Sequence, residues 1–166
     1  MLLERRSAGL ISSLHQFQRC KGRRGPVAFL KRSVAKVRFE FWSVVSGVDI
    51  NREATIAPSV RLPHPNGVVI HRDAVVEDDC LIMQQVTLGQ TAKPGAPHVC
   101  RGAYIGAGAK VLGAVRIGRN ARVGANAVVL ADVPDNCTEV GVPARIIHPR
   151  PQEPAPEQTG AGRPME

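Results

Sequence analysis

Aromatic residues are scarce in this chain of 166 residues, which holds one Trp, one Tyr and four Phe. A core with so few rings must be built from Val, Ile, Leu and Ala, which suits a narrow, regular interior better than a globular sandwich. The four cysteines (Cys20, Cys80, Cys100 and Cys137) form no C-x-x-C pair. That speaks against a zinc knuckle or redox motif and fits reduced thiols. No apolar stretch reaches membrane-spanning length. Residues 1–16 lack the apolar run of a signal peptide, because Glu4, Arg5 and Arg6 interrupt it early. The expectation is a cytoplasmic protein, peripheral to the inner face of a membrane if it meets one. The length suits one domain with appendages.

Acidic residues are rare at one end only. Residues 1–47 hold ten Lys/Arg against Glu4 and Glu40, whereas the remainder has twelve of each sign, so all the excess basicity is N-terminal. A nucleic-acid partner would call for a recognition motif or a platform of stacking aromatics, and neither is present.

Within residues 1–47, read as a basic helical segment, Val27, Leu30, Val34, Val37, Phe41 and Val44 recur at steps of three and four. That spacing places them on one face of an α-helix. Lys31, Arg32, Lys36 and Arg38 lie between them. The expectation is that this face docks on the next domain and leaves a solvated basic face. The competing reading is an interfacial helix over residues 27–45 on anionic lipid, with Phe41 and Trp42 near the surface.

Residues 48–148 carry the strongest pattern. A branched aliphatic residue returns every six positions at Ile50, Ile56 and Leu62, at Ile70, Val76, Ile82 and Leu88, and at Val99, Ile105, Val111, Ile117, Val123 and Val129. Four residues after most of these stands a smaller apolar one, such as Ala54, Ala74, Cys80, Ala103, Ala109, Ala121 and Ala127. A helix needs a period of 3.6 and a flat strand a period of 2, and neither produces this run. Six residues make a short strand plus a tight turn, and three such units close a triangular coil that is stable only when stacked. Gly or Asn (Asn120, Asn126) at corners permits positive φ. The fold class is mainly β, a left-handed parallel β-helix of hexapeptide repeats. Residues 149–166, rich in Pro, Gln and Glu, read as a disordered tail.

Two breaks interrupt the six-step, eight residues from Leu62 to Ile70 and eleven from Leu88 to Val99. Insertions in a solenoid become projecting loops, where function usually sits. The first holds His64 and the second His98. His64 stands between Pro63 and Pro65, a restricted setting that suits a positioned general base, although a lone His is as readily structural. Asp49, just under one coil earlier, could hold the imidazole's tautomer.

Val48 to Ile147 resembles the serine acetyltransferase family of hexapeptide-repeat enzymes. The resemblance rests on V-D-I at 48–50, H-x-x-G-V-V at 64–69, Q-x-V-T-L-G at 84–89, I-G-A-G-A-K-V-L-G at 105–113 and V-G-V-P-A-R-I at 140–146. It implies a homotrimer with acetyl-CoA in the groove between neighbouring β-helices, direct transfer without an acyl-enzyme, and no metal. By the same resemblance His64 is the catalytic base and Asp49 the carboxylate that orients it. Backbone amides along 106–109 and 124–126 would receive the pantetheine arm, marking Gly106, Ala107, Ala109, Gly124 and Ala125. Lys110 and Arg145 are phosphate contacts or merely exposed charges. His98 and Gln84 are candidate acceptor contacts.

The departures bear on the acceptor. The acidic residue that the family usually places before its catalytic His is Pro63 here, and its Arg-His pair falls on Gly95 and Ala96. An amino acid's buried charges left unpaired would cost several kcal/mol. The expected acceptor is therefore a sugar hydroxyl of a surface polysaccharide or its precursor, as in the related exopolysaccharide acetyltransferases. Serine, for cysteine biosynthesis, is the alternative. A zinc hydratase resembling γ-class carbonic anhydrase would need H-x-x-x-x-H ligands, which His64, His71 and His98 do not offer. A non-catalytic scaffold sits poorly with the presence of both Asp49 and His64.

Overall fold

The computed structural model describes residues 2–22 and 25–147; the tail expected at 149–166 lies outside them. Two helices come first, α1 (Leu2–Cys20) and α2 (Pro26–Ser46). The helical segment is therefore a hairpin. Its break is set by Gly22 and Gly25 at φ 84° and 111° and by Pro26 in the first turn of α2. Gly47, left-handed at φ 65°, ends α2 and turns the chain into the solenoid.

Fourteen short strands follow: β1 (Asp49–Ile50), β2 (Thr55–Ile56), β3 (Val69–Ile70), β4 (Val75–Val76), β5 (Leu81–Ile82), β6 (Thr87–Gly89), β7 (His98–Val99), β8 (Tyr104–Ile105), β9 (Lys110–Leu112), β10 (Arg116–Ile117), β11 (Arg122–Val123), β12 (Val128–Val129), β13 (Thr138–Gly141) and β14 (Ala144–Ile147). They stack into three sheets, β1-β3-β6-β9-β12, β2-β4-β7-β10 and β5-β8-β11-β13-β14. Every pairing is parallel except the closing β13–β14 hairpin. This is the expected parallel β-helix.

All thirteen aliphatic positions of the six-step are at most 4% exposed. Each stacks on its equivalent one coil away, as the register Ile70↔Leu88 and Leu88↔Val111 shows. At several corners the residue three places after an inward aliphatic sits at positive φ: Asp79, Gln85, Asn120, Asn126 and Asn136, as well as Gly102 and Gly108. Gly106, Gly118 and Gly124 follow a different rule. A Cβ on Gly106 would lie 2.6 Å from Ala125 N, and one on Gly118 2.5 Å from Asp135 N. The next coil's backbone passes too close for any side chain there.

The helical hairpin closes the solenoid's first coil. Leu10, Ile11, Leu14 and Phe39 are buried in one cluster with Ile50, Ala54 and Ile56, and the Gln18 side-chain amide donates to the carbonyls of Arg52 (3.0 Å) and Ala54 (2.9 Å). The helix face that does this is not the apolar one expected. α2 buries Ala35, Phe39, Ser43 and Ser46, whereas Val27, Leu30, Val34, Val37, Phe41 and Val44 are 47–81% exposed. Trp42 likewise turns inward onto Gly9, where a Cβ would sit 2.6 Å from the indole. The reason is that α1 supplies Leu10, Ile11 and Leu14 to the joint. On α2 the joint takes Phe39 and Trp42 beside the small Ala35, Ser43 and Ser46, and the Val/Phe stripe is left outside.

Candidate active site

Each coil returns from the third sheet to the first through a corner, and four such corners stack along one edge, at residues 63–67, 83–86, 106–109 and 124–127. Backbone bonds join them in sequence: Gln85 N to Asn66 O (2.9 Å), Gly108 N to Gln84 O (2.9 Å) and Asn126 N to Ala107 O (2.8 Å). The first corner is tied to the end of α2 by Gly67 N donating to Gly47 O at 2.7 Å. The structure thus brings His64, Gln84, Gly106, Ala107, Ala109, Lys110, Gly124 and Ala125 onto one continuous edge. None of this adjacency is visible in the linear spacing, because corners one coil apart are about eighteen to twenty-three residues apart in sequence.

His64 is exposed and lines a cleft of about 330 Å³ with Val44, Val45, Ser46, Gly47, Pro65 and Asn66. No Asp, Glu, Lys or Arg side chain lines it. Asp49 is also exposed but lines a different cleft, with Phe39, Glu40, Ser43 and Arg52. Among the described residues no hydrogen bond or ion pair joins Asp49 to His64. The two side chains line separate clefts and do not engage each other.

Of the corner amides, most are already used. Gly106 N donates to Val123 O, Ala109 N to Gly106 O and Gly124 N to Glu139 O. The N–H groups of Ala107 and Ala125, one coil apart, have no backbone acceptor among the described residues. Together with the Gln84 N–H at the same corner position one coil earlier, they are free to meet an extended amide-bearing chain. The Lys110 ammonium donates to Gln85 O (2.8 Å) and Gly108 O (3.1 Å), so it staples two corners and keeps one donor over. Gln84 carries a buried Oε1 without a partner. Arg145 donates to its neighbour Ala144 O and is paired across the hairpin with Val140, whose Cγ1 lies against Gly124. It therefore stands at the far end of the same edge.

His98 is not part of that edge. It opens β7 in the second sheet, after the loop at 90–97, and its Nε2 lies 2.8 Å from Glu77 Oε1. Glu77's other oxygen accepts the Arg101 amide at 2.9 Å. The Arg101 amide and then His98 hold the Glu77 carboxyl below its ordinary value. Glu77, His98 and Cys100 place donor atoms within 4.8 Å of one another, but both Glu77 oxygens are engaged and the arrangement reads better as an ion pair than as a metal centre. The His98 role expected from sequence thus lacks an adjacent base within one chain. Linear spacing does not point to Glu77, which lies one coil away from His98. Burial pushes the Cys80 thiol up to about 11, as befits a core position.

The bacterial transferase hexapeptide family (six repeats) matches residues 96–131. The serine acetyltransferase of Salmonella typhimurium is 45% identical over 130 residues, 76% of this chain and 45% of that protein. That of Mycobacterium tuberculosis is 42% identical over 119 residues, covering 70% and 52%. Among solved structures, a serine acetyltransferase in complex with CoA superposes with a TM-score of 0.63 at 43% identity, over 70% of this chain and 48% of that one. The Vibrio cholerae serine acetyltransferase gives 0.65 at 44%, over 74% and 48%. The chain spans about half the length of the relatives it matches.

Proposed function

We propose that this chain is a serine acetyltransferase-like hexapeptide-repeat protein that transfers an acetyl group from acetyl-CoA to a hydroxyl. The observation that carries the proposal is the stacked edge. His64 stands at one end, and the free amides of Ala107 and Ala125 lie further along it. An extended pantetheine arm laid on those amides would bring its thioester towards His64, with Lys110 and Arg145 near its phosphates. His64 removes the acceptor's hydroxyl proton as the oxygen attacks the thioester carbonyl, and the CoA thiolate leaves and takes up a proton. Asp49, after a rotation of its side chain, would orient the imidazole.

The comparisons support serine as the acceptor above the sugar hydroxyl expected from sequence. A neutral sugar remains the second reading on one observation: the His64 cleft carries no carboxylate for an ammonium, with Pro63 and Ala96 where charged contacts were expected. His98 and Gln84 are acceptor contacts in either reading, His98 only if a neighbouring chain supplies it. We propose a homotrimer on that ground, working in the cytoplasm.

Purified protein given acetyl-CoA and L-serine should release CoA. His64→Ala should lower turnover by about 10²–10⁴-fold, the usual worth of a general base, with CoA binding and oligomeric state unchanged. Asp49→Asn should cost less. Full turnover in His64→Ala would remove it as base. Intact CoA binding without serine turnover would move the acceptor to sugars.

A further inference from the structure

The outward face of α2 is a feature that the transfer reaction leaves unused. Val27, Leu30, Val34, Val37, Phe41, Val44 and Val45 are 39–81% exposed. At 100° per residue they fall within one arc, opposite the buried Ala35, Phe39, Ser43 and Ser46. The stripe runs for roughly 27 Å at 1.5 Å per residue. A contiguous apolar face of this kind on a protein surface marks an interaction site.

Charge decides what fits it. Exposed Lys31 and Arg38 border the stripe on one side and Lys36 on the other, and Arg32 stacks 5.9 Å over the Phe29 ring. The one acidic residue of the helix, Glu40, is already paired with Arg52. The surrounding segment, residues 1–47, has ten Lys/Arg against two Glu, and the rest of the chain is neutral. A second copy pressed onto this face would set like charges against each other, and the remainder of the chain carries no net negative charge to receive it. An anionic lipid surface satisfies both halves of the pattern: the apolar stripe enters the acyl boundary and the flanking cations meet the headgroups.

We propose that α2 seats this protein on an anionic lipid surface through the stripe from Val27 to Val45. The helix lies in the interface plane, since no described helix is long and apolar enough to cross a membrane. Val44 and Val45 belong both to the stripe and to the cleft that holds His64, so a bound surface lies beside the candidate base. The docking is independent of which hydroxyl is acetylated.

The test is flotation of the full chain with vesicles of phosphatidylcholine alone and of phosphatidylcholine mixed with phosphatidylglycerol, with light scattering on the same samples. The protein should float with the mixed vesicles, not with the neutral ones, and salt should weaken the binding. Lys31→Glu with Lys36→Glu should reduce it at least tenfold, as about fivefold per basic residue predicts. Val37→Ser with Phe41→Ser should abolish it while leaving CoA release unchanged, because neither side chain touches the core. Equal binding to both vesicle types would overturn the proposal. So would absence of flotation together with a smaller oligomer in Val37→Ser/Phe41→Ser, which would assign the face to a second copy.

Discussion

Glu139 sits where the repeat would place an aliphatic side chain, since its register partner one coil below is the inward Val123. It is 5% exposed and its Oε2 has no partner. Burial raises its carboxyl above the ordinary value, with Arg145 opposing. A carboxyl raised in the folded state leaves the protein most stable at acid pH, and that stability is lost as pH climbs from the unfolded value through the folded one. Glu139→Gln should therefore be more stable than the parent at neutral pH, by about 1–3 kcal/mol, with the gain shrinking at mildly acid pH. Urea unfolding at the two pH values measures it, and an equal difference at both would show that charge is not the cause. Glu77 has the opposite sign. Its lowered carboxyl stabilises the fold above the ordinary carboxylate range and ceases to do so as pH falls through its folded value.

The elements are held to their spacing by the corners. A methyl on Gly106 would meet the Ala125 amide and the Gly124 carbonyl carbon at 2.6 and 2.8 Å. Gly106→Ala should cost roughly 1–3 kcal/mol by overpacking and should also weaken CoA binding, because it shifts the Ala125 amide. Asn126, at φ 56°, should tolerate Gly but lose about 1–2 kcal/mol as Val, the cost of a left-handed β-branched residue. Thermal unfolding and CoA titration of the three variants separate the two effects. Two helices obey the same logic of close approach: Gly9 lets the Trp42 ring onto α1, and a larger residue there would open the hairpin.

At the scale of the whole molecule, one chain supplies the edge with His64 and a separate corner with the 90–97 loop and His98. Shortening that loop to restore the six-step should leave the solenoid folded, since loop closure changes little with length. CoA binding should survive and acceptor turnover should fall. A protein that no longer unfolds cooperatively after the deletion would show instead that the loop is part of the scaffold. Light scattering that reports a trimer would fit an acceptor site completed between chains, and a monomer with full turnover would refute it.

The sequence alone determined the solenoid, its corners, its two loops and the prominence of His64. The six-residue period is written into local sterics, one inward aliphatic and one tight corner per unit, so it survives in any stacking. Tertiary structure decided what depends on competition between surfaces. The most apolar face of α2 lies outside because the joint is filled by Leu10, Ile11 and Leu14 of α1 together with Phe39 of α2. Asp49 and His64 line separate clefts, because one is an outward side chain of β1 and the other stands at a corner. The corner amides of Gln84, Ala107 and Ala125 are left without a backbone acceptor while their neighbours are consumed by the coils, and that accounting exists only once one coil lies on the next.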